Sequence, residues 1–188
     1  MSKLVNNASR EAVIIERIPF PVWKTIELGT YHSVDDLWST LKYQGYKLED
    51  WSKMIKRFSF VLEKVKTRID LVKVTPAALG LTEETATLQE IYKCVRGYGL
   101  KPCPMEVAPQ LRLQYRNQPI GECLKVSIEN FGNFNEELYA FGIEHNYGRE
   151  LRLDEYHIEP DGTWFPDISW IFTPSGVVGG GAIQTFSP

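Results

Sequence analysis

The spacing of the apolar residues changes once along this chain, near Pro109, and this change limits the folds that the chain can adopt. Before Pro109, apolar residues recur three and four positions apart, which is the spacing of the buried face of a helix. After Pro109, they alternate with polar residues, which is typical of a half-buried strand. The sequence therefore predicts an α+β protein, with helices packed on one face of a mainly antiparallel sheet and a C-terminal β-meander.

The helices of the first half are predicted from their N-terminal caps. Ser33 and Thr87 each precede an apolar stripe with helical spacing, and Asp36 and Glu90 stand three residues later, as a capping box requires. Glycines end both patterns. The other elements predicted in this half are a helix over about residues 48–57 and strands over residues 23–28 and 69–74.

The second half is predicted to form about five strands. Residues 111–116 and 124–128 alternate on either side of a segment with turn chemistry, which predicts a hairpin. Further strands are predicted at residues 139–143, 151–153 and 168–172. From residue 175 the chain is rich in glycine and valine without a period, and a loose tail is expected over residues 175–188.

The length of 188 residues fits a single domain. Within it we expect a helix-rich half over about residues 1–104 and the meander over about residues 105–174. Apolar residues make up 43% of the chain and charged residues 24%, which is typical of a globular protein that folds alone.

The composition argues against several classes of function. The formal net charge of −3 provides no basic field for a phosphate backbone, so nonspecific binding of nucleic acid is not expected. Three cysteines without a CxxC pair indicate neither a disulfide framework nor a zinc ribbon, and they suit the reducing cytoplasm. No apolar run has the length of a signal peptide core or a membrane span. We also find no nucleotide loop or metal-ligand spacing, and we predict no metal site and no cofactor.

The candidate site lies in residues 101–130, where prolines, arginines, amides and a carboxylate are concentrated. On the predicted hairpin, Arg112 could hold an anion, with Gln114, Tyr115 and Gln118 as orienting donors. Glu106, held between two prolines, could act as a general base. The alternatives are a solvated sheet face with cross-strand ion pairs, and a structural role for Glu106 at a helix N-terminus or in an ion pair.

Trp164 is the aromatic residue for which exposure is predicted. It lies among turn residues in the segment D-G-T-W-F-P-D, so its ring could serve as a stacking platform for a ligand. His145 follows apolar residues on the buried face of its predicted strand, and we expect it to be buried rather than to bind a metal.

The segment of residues 101–130 is also part of a resemblance to known sequences. The order of E-L-G-T-Y-H-S-V-D-D-L-W, I-D-L-V-K-V-T-P-A-A-L-G, A-T-L-Q-E-I-Y and G-L-K-P-C-P-M-E-V-A-P-Q-L-R-L-Q-Y resembles a family of uncharacterised bacterial proteins over about residues 24–173. Ala108 stands where that family has glycine, and Cys123 where it has tryptophan. The resemblance implies the location of a site and no reaction. The matching signature positions are Cys103, Pro104, Glu106, Pro109, Leu111, Arg112, Tyr115, Gln118 and Pro119.

Three functional hypotheses follow. The first is a cytoplasmic binding module for a small anionic or polar ligand or a protein partner. The second is a hydrolase or transferase that uses Glu106 as general base and Arg112 as anion holder. The third is a nucleic-acid accessory protein, which would need a continuous basic strip beside Trp164 formed by Arg112, Arg116, Lys125 and Arg149 or Arg152.

Overall fold

The computed structural model of the chain describes residues 20–48, 60–128, 138–158 and 162–175. These residues form an α+β fold, as predicted. The helix predicted over about residues 48–57 and the tail predicted from residue 175 lie almost wholly outside the described residues. The elements are β1 (Lys24–Leu28), α1 (Val34–Tyr43), β2 (Lys47–Leu48), β3 (Thr67–Val74), a 3₁₀ turn (Ala77–Leu79), β4 (Ala86–Thr87), α2 (Leu88–Gly97), β5 (Leu100–Lys101), α3 (Val107–Gln114), β6 (Cys123–Ser127), β7 (Leu138–His145), β8 (Leu151–Ile158), β9 (Thr163–Trp164) and β10 (Ser169–Pro174).

One large sheet contains most of the strands, in the order β1-β3-β10-β6-β7-β8-β2, and β5 also pairs with β10. All pairs along it are antiparallel except β10 with β6 and β2 with β8. Strands β6, β7 and β8 form the predicted meander. The last strand departs from it, because β10 returns to the middle of the sheet and lies between β3 and β6.

The predicted caps of α1 and α2 are present. The Ser33 hydroxyl accepts a hydrogen bond from the N–H of Asp36, and Thr87 and Glu90 form a complete capping box. Both helices therefore begin where the sequence predicts, one residue after the capping side chain.

The segment predicted as the first strand of a hairpin, residues 111–116, is instead the end of helix α3 and the residues that follow it. The prediction was wrong because α3 is buried on every side, so its burial has no helical period. Its polar residues Gln110 and Arg112 are as buried as its leucines. Because these buried polar residues alternate with apolar residues, the segment has the sequence pattern of a strand.

The sheet curls around α3. This helix contacts β1 near one end of the sheet and β7 and β8 towards the other. Strands β1 and β8 are five strand spacings apart, about 24 Å across a flat sheet, whereas a helix with its side chains is about 10–12 Å wide. Both can contact α3 only if the sheet bends around it.

Helix α2 lies on the opposite face of the sheet from α1 and α3. Successive residues of β10 show this, because Ile171 joins the core around α1 and α3, whereas Trp170 and Phe172 join the core around α2. The expectation that the helices share one face is therefore wrong for α2. Each half of the chain supplies residues to both cores, so the sheet is covered on both sides.

Gly142 on β7 leaves the space that the ring of Tyr156 occupies. A Cβ atom built on Gly142 would lie 2.1 Å from Cε2 of Tyr156. We expect Gly142→Ala to displace that ring and to lower the free energy of unfolding by about 1–3 kcal/mol, measured by urea denaturation. Gly97→Ala is the matched control, because a Cβ there meets no atom within 4 Å; equal destabilisation by the two variants would contradict the prediction.

Candidate functional site

The predicted site residues lie on α3 and on the loop between α3 and β6, but they do not form one cluster. Glu106 stands at the N-cap position of α3 without a side-chain capping bond, and Arg112 is in the last turn of this helix. Six residues of helix separate their backbones by about 9 Å along the axis. Their side chains have no hydrogen-bond partner in common.

Glu106 is fully buried, and both of its carboxylate oxygens are occupied. Oε1 accepts hydrogen bonds from the backbone N–H of Gly29 and from the side-chain amide of Gln110, at 2.8 Å each. Oε2 accepts from the backbone N–H of Glu63 at 2.7 Å. This carboxylate ties α3 to the end of β1 and to the segment before β3. Its bonding fits the structural alternative considered above, although its partners are neutral groups.

Gly29 permits this close contact. It has a φ of +67°, and a Cβ at this position would lie 2.4 Å from the carbonyl oxygen of Val65. Only glycine fits there, and its N–H is thereby held against Glu106.

Glu106→Gln tests the structural role. The carboxylate accepts hydrogen bonds from three N–H donors. In the variant, the NH2 group of the glutamine side chain would face at least one of these donors, and a buried polar group left without a hydrogen bond costs about 1–3 kcal/mol. We expect the free energy of unfolding in urea to fall by this amount. The control is Glu83→Gln, which changes an exposed carboxylate and should have little effect. A stability equal to that of the unmodified chain would show that Glu106 does not hold these segments together.

Arg112 is a fully buried cation that contacts neutral acceptors. Its guanidinium donates to the side-chain oxygen of Gln118 and to the carbonyl oxygens of Tyr115 and Glu144. It also lies over the ring of Tyr46, 5.3 Å from the centroid. Burial lowers the pKa of Arg112 to about 10, so it remains charged at neutral pH. Its Nε–H has no hydrogen-bond partner among the described residues.

Gln118 and Gln114 both bond to the framework. Gln118 accepts from Arg112 and donates to the carbonyl oxygens of Glu122 and Ile143, which links α3 to β6 and β7. Gln114 exchanges two hydrogen bonds with the backbone of Glu27 on β1, at 2.8 and 2.9 Å. These contacts leave little capacity for a ligand.

Tyr115 connects this buried network to the surface. Its hydroxyl donates to Oε2 of Glu122 at 2.9 Å, and the other oxygen of Glu122 lies 3.3 Å from Nζ of Lys73. Burial, together with Glu122, raises the pKa of Tyr115 to about 12. The phenol is therefore neutral at physiological pH and acts as a donor.

The surface around Tyr115 brings two lysines against one tryptophan, and we call Trp23, Lys24, Lys73, Tyr115 and Glu122 the tryptophan–lysine rim. The ammonium groups of Lys24 and Lys73 lie 5.6 and 5.4 Å from the ring of Trp23. Lys24 also lies 4.8 Å from the ring of Tyr115, and the two rings meet edge to face at 5.2 Å.

Positive charges outnumber negative charges in the rim. Lys24 and Lys73 carry two positive charges and Glu122 one negative charge, and the buried guanidinium of Arg112 lies behind them. This surface is locally positive on a chain whose net charge is −3.

Sequence reasoning located Tyr115 but missed Trp23, Lys24 and Lys73. Trp23 and Lys24 stand at the start of β1, and Lys73 stands near the end of β3, more than forty residues along the chain. The signal for this site in the sequence was Lys73, which lies on the same face of its strand as Leu71. The sequence alone could not place this lysine in the rim, because its position there depends on the pairing of β1 with β3 beside the end of α3.

Trp164 and the basic residues of the third hypothesis lie elsewhere. The ring of Trp164 is half-buried and packs edge to face on Trp170 at 5.0 Å. Arg112 and Lys125 are buried, and Arg152 is paired with Asp154 through two bonds of 3.1 Å. These residues therefore do not form one exposed basic strip.

Comparison with protein-family models, curated proteins and solved structures gives no significant match. The resemblance to a bacterial family stays a prediction. Within the described ranges, no helix has the length and apolar character that crossing a membrane requires. The same ranges hold no group of three or more metal-ligating side chains.

The raised pKa of Tyr115 predicts a pH effect on stability. An unfolded tyrosine loses its proton near pH 10, whereas folded Tyr115 keeps its proton until about pH 12. At Tyr115 the folded state binds more protons than the unfolded state in this window, so the contribution of this residue to the free energy of unfolding should fall as the pH rises from 10 to 12.

Tyr115→Phe should make that fall shallower than in the unmodified chain, measured by urea denaturation at several pH values between 9 and 12. Tyr43→Phe is the control, because Tyr43 is 92% exposed. A slope that changes equally in both variants would refute the assignment.

Proposed function

We propose that this protein is a binding module for small anions with an aromatic or other planar apolar part, and that it binds them at the tryptophan–lysine rim. The observation that carries the proposal is the convergence of two ammonium groups on one half-buried indole ring. This keeps the leading hypothesis from the sequence and moves its contact surface from the buried residues of α3 to the rim next to them.

The rim has groups that can bind both the charged part and the planar part of such a ligand. Lys24 makes no ion pair with another described residue, and Lys73 shares the carboxylate of Glu122 with Tyr115. A carboxylate or phosphate between the two ammonium groups would gain charge-assisted hydrogen bonds. The ring of Trp23, held by Tyr115 and the lysines, offers apolar surface to the planar part.

Arg112 supports this site without touching the ligand. It holds the carbonyl of Tyr115, and its buried charge adds to the positive potential of the rim. The sequence suggested that Arg112 holds the anion directly, whereas in this proposal the buried Arg112 acts at a distance, through the placement of Tyr115.

The enzymatic alternative has less support. Glu106 would have to break hydrogen bonds to two backbone N–H groups and to Gln110 before it could accept a proton from a substrate. A general base must instead reach the proton that it removes. Binding without chemistry is therefore the better-supported function of this region.

The proposal includes a reducing compartment, the cytoplasm. Cys94, Cys103 and Cys123 form no disulfide in the described part of the chain, and Cys94 and Cys123 are only half-buried. Free, partly accessible thiols persist where the surroundings keep them reduced.

Calorimetric titration with phenyl phosphate and benzoate tests the site. We expect both anions to bind more tightly than benzyl alcohol, which lacks the charge, and more tightly than inorganic phosphate, which lacks the ring. Lys24→Gln and Lys73→Gln should each weaken phenyl phosphate binding about tenfold or more, because a charge-assisted hydrogen bond contributes about 1.5–3 kcal/mol.

Lys93→Gln makes the same change of charge at an exposed position on α2 and should leave the affinity unchanged. The affinity of the unmodified chain should also fall as salt is added. If neither anion binds at millimolar concentration, or if the Lys24 and Lys73 variants bind as tightly as the Lys93 variant, the rim is not an anion site.

A further inference from the structure

A second group of reactive side chains lies on the sheet face opposite α3, over β6, β7 and β8. Its position on this face follows from strand alternation, because Leu124 and Val126 of β6 point into the core around α3 and their neighbours point away from it. We call this group the Lys125 cluster. Its members are Cys123, Lys125, Glu144, Arg152, Asp154, Tyr156 and Trp164.

Strand pairing arranges the cluster in two rows across the sheet. The first row runs from Cys123 on β6 to Glu144 on β7 and Arg152 on β8. The second row runs from Lys125 to Gly142 and Asp154. Cys123 and Lys125 are two residues apart on one strand, so their side chains leave the same face as neighbours.

Gly142 leaves a gap in the second row, and the ring of Tyr156 fills it from the diagonal position. The ammonium nitrogen of Lys125 lies 3.1 Å from the centroid of this ring and 5.8 Å from that of Trp164. The buried indole N–H of Trp164 has no hydrogen-bond partner among the described residues. The lysine thus lies between two aromatic rings.

The amine of Lys125 is buried without an ion-pair partner among the described residues. Asp154 is the nearest carboxylate along its row, but both oxygens of Asp154 are bonded to Arg152 at 3.1 Å. Burial lowers the pKa of Lys125, and Cys123, Glu144 and Asp154 oppose that effect.

The cluster reaches solvent along its first row. Cys123 and Glu144 are half-exposed, whereas Lys125 is 6% exposed. The carboxylate of Glu144 makes no hydrogen bond or ion pair with another described residue, so it is available to carry a proton between solvent and the amine.

We infer that Lys125 is an amine nucleophile that captures small uncharged aldehydes or ketones as an imine. A buried lysine beside aromatic rings and a mobile proton donor is the setting in which lysine reacts with carbonyl compounds. This site lies on the face opposite the core of α3 and does not depend on the function proposed for the tryptophan–lysine rim.

The chemistry balances with the groups present. The lone pair of the neutral amine attacks the carbonyl carbon, and one of the two amine protons passes to the carbonyl oxygen to give a carbinolamine. A proton from solvent, relayed by the carboxylate of Glu144, then protonates the hydroxyl, which leaves as water while the nitrogen forms the double bond. The nitrogen keeps its remaining proton, so the product is a protonated imine, and no oxidant or reductant is needed.

The surroundings favour this product and this class of substrate. A protonated imine keeps its positive charge over the face of Tyr156, so the attraction between cation and ring persists after the reaction. Glu144 and Asp154 carry negative charge beside the amine. A substrate that is itself an anion is therefore disfavoured.

Reductive trapping of the full chain tests the inference. The protein is incubated at neutral pH with a small excess of acetaldehyde and sodium cyanoborohydride, and peptide mass mapping follows the alkylation of each lysine. We expect Lys125 to be alkylated at least about fivefold faster than Lys93, an exposed lysine in the same sample. Glyoxylate, an anionic aldehyde, should label Lys125 more slowly than acetaldehyde does.

Two variants separate reactivity from folding. Lys125→Met keeps an unbranched side chain and should abolish the fast adduct without changing the rate at Lys93. Glu144→Gln should slow trapping at Lys125, because an amide cannot relay the proton that the carbinolamine needs. Labelling of Lys125 at or below the rate of Lys93 in the unmodified chain would overturn the inference, and an unchanged rate of trapping at Lys125 in Glu144→Gln would overturn the role of Glu144.

Discussion

The burial of α3 from Val107 to Leu113 is the constraint on which the rest of this structure depends. A helix enclosed by a curled sheet cannot leave its polar residues in water, so every polar side chain in its buried region needs a partner inside the protein. Glu106 at one end bonds to backbone N–H groups, and Arg112 at the other bonds to carbonyl oxygens and to Gln118. These bonds hold the end of β1, the segment before β3 and the β6–β7 hairpin against the helix.

The same burial determines where ligands can bind. Because α3 occupies the inside of the curled sheet, reactive groups accessible to a ligand are placed at its rim or on the outer face. The tryptophan–lysine rim lies where α3 ends and the network around Arg112 reaches the surface through Tyr115 and Glu122. The Lys125 cluster lies on the outer face, where the missing side chain of Gly142 makes room for a ring beside an amine.

Local signals along the chain were predictive where one residue and its near neighbours decide the structure. Ser33 and Thr87 cap their helices, because a capping bond spans three residues and is visible in sequence. Residues 111–116 were misassigned because Gln110 and Arg112 are buried against partners elsewhere in the chain, and their polarity wrongly suggested exposure. The segment around Tyr115 was singled out as the candidate site, but in the structure its polar residues serve mainly to satisfy a buried helix.

By itself the sequence determined the α+β class, the starts of two helices, the strands that carry alternating apolar residues and the segment in which prolines, arginines and amides are concentrated. Each of these depends on residues close together along the chain, where period and capping operate. Only the tertiary structure decided that Lys24 and Lys73 meet over Trp23, and that Lys125 lies against Tyr156 and Trp164. Those contacts depend on strand order and on the curl of the sheet, which arise from packing between residues far apart in sequence.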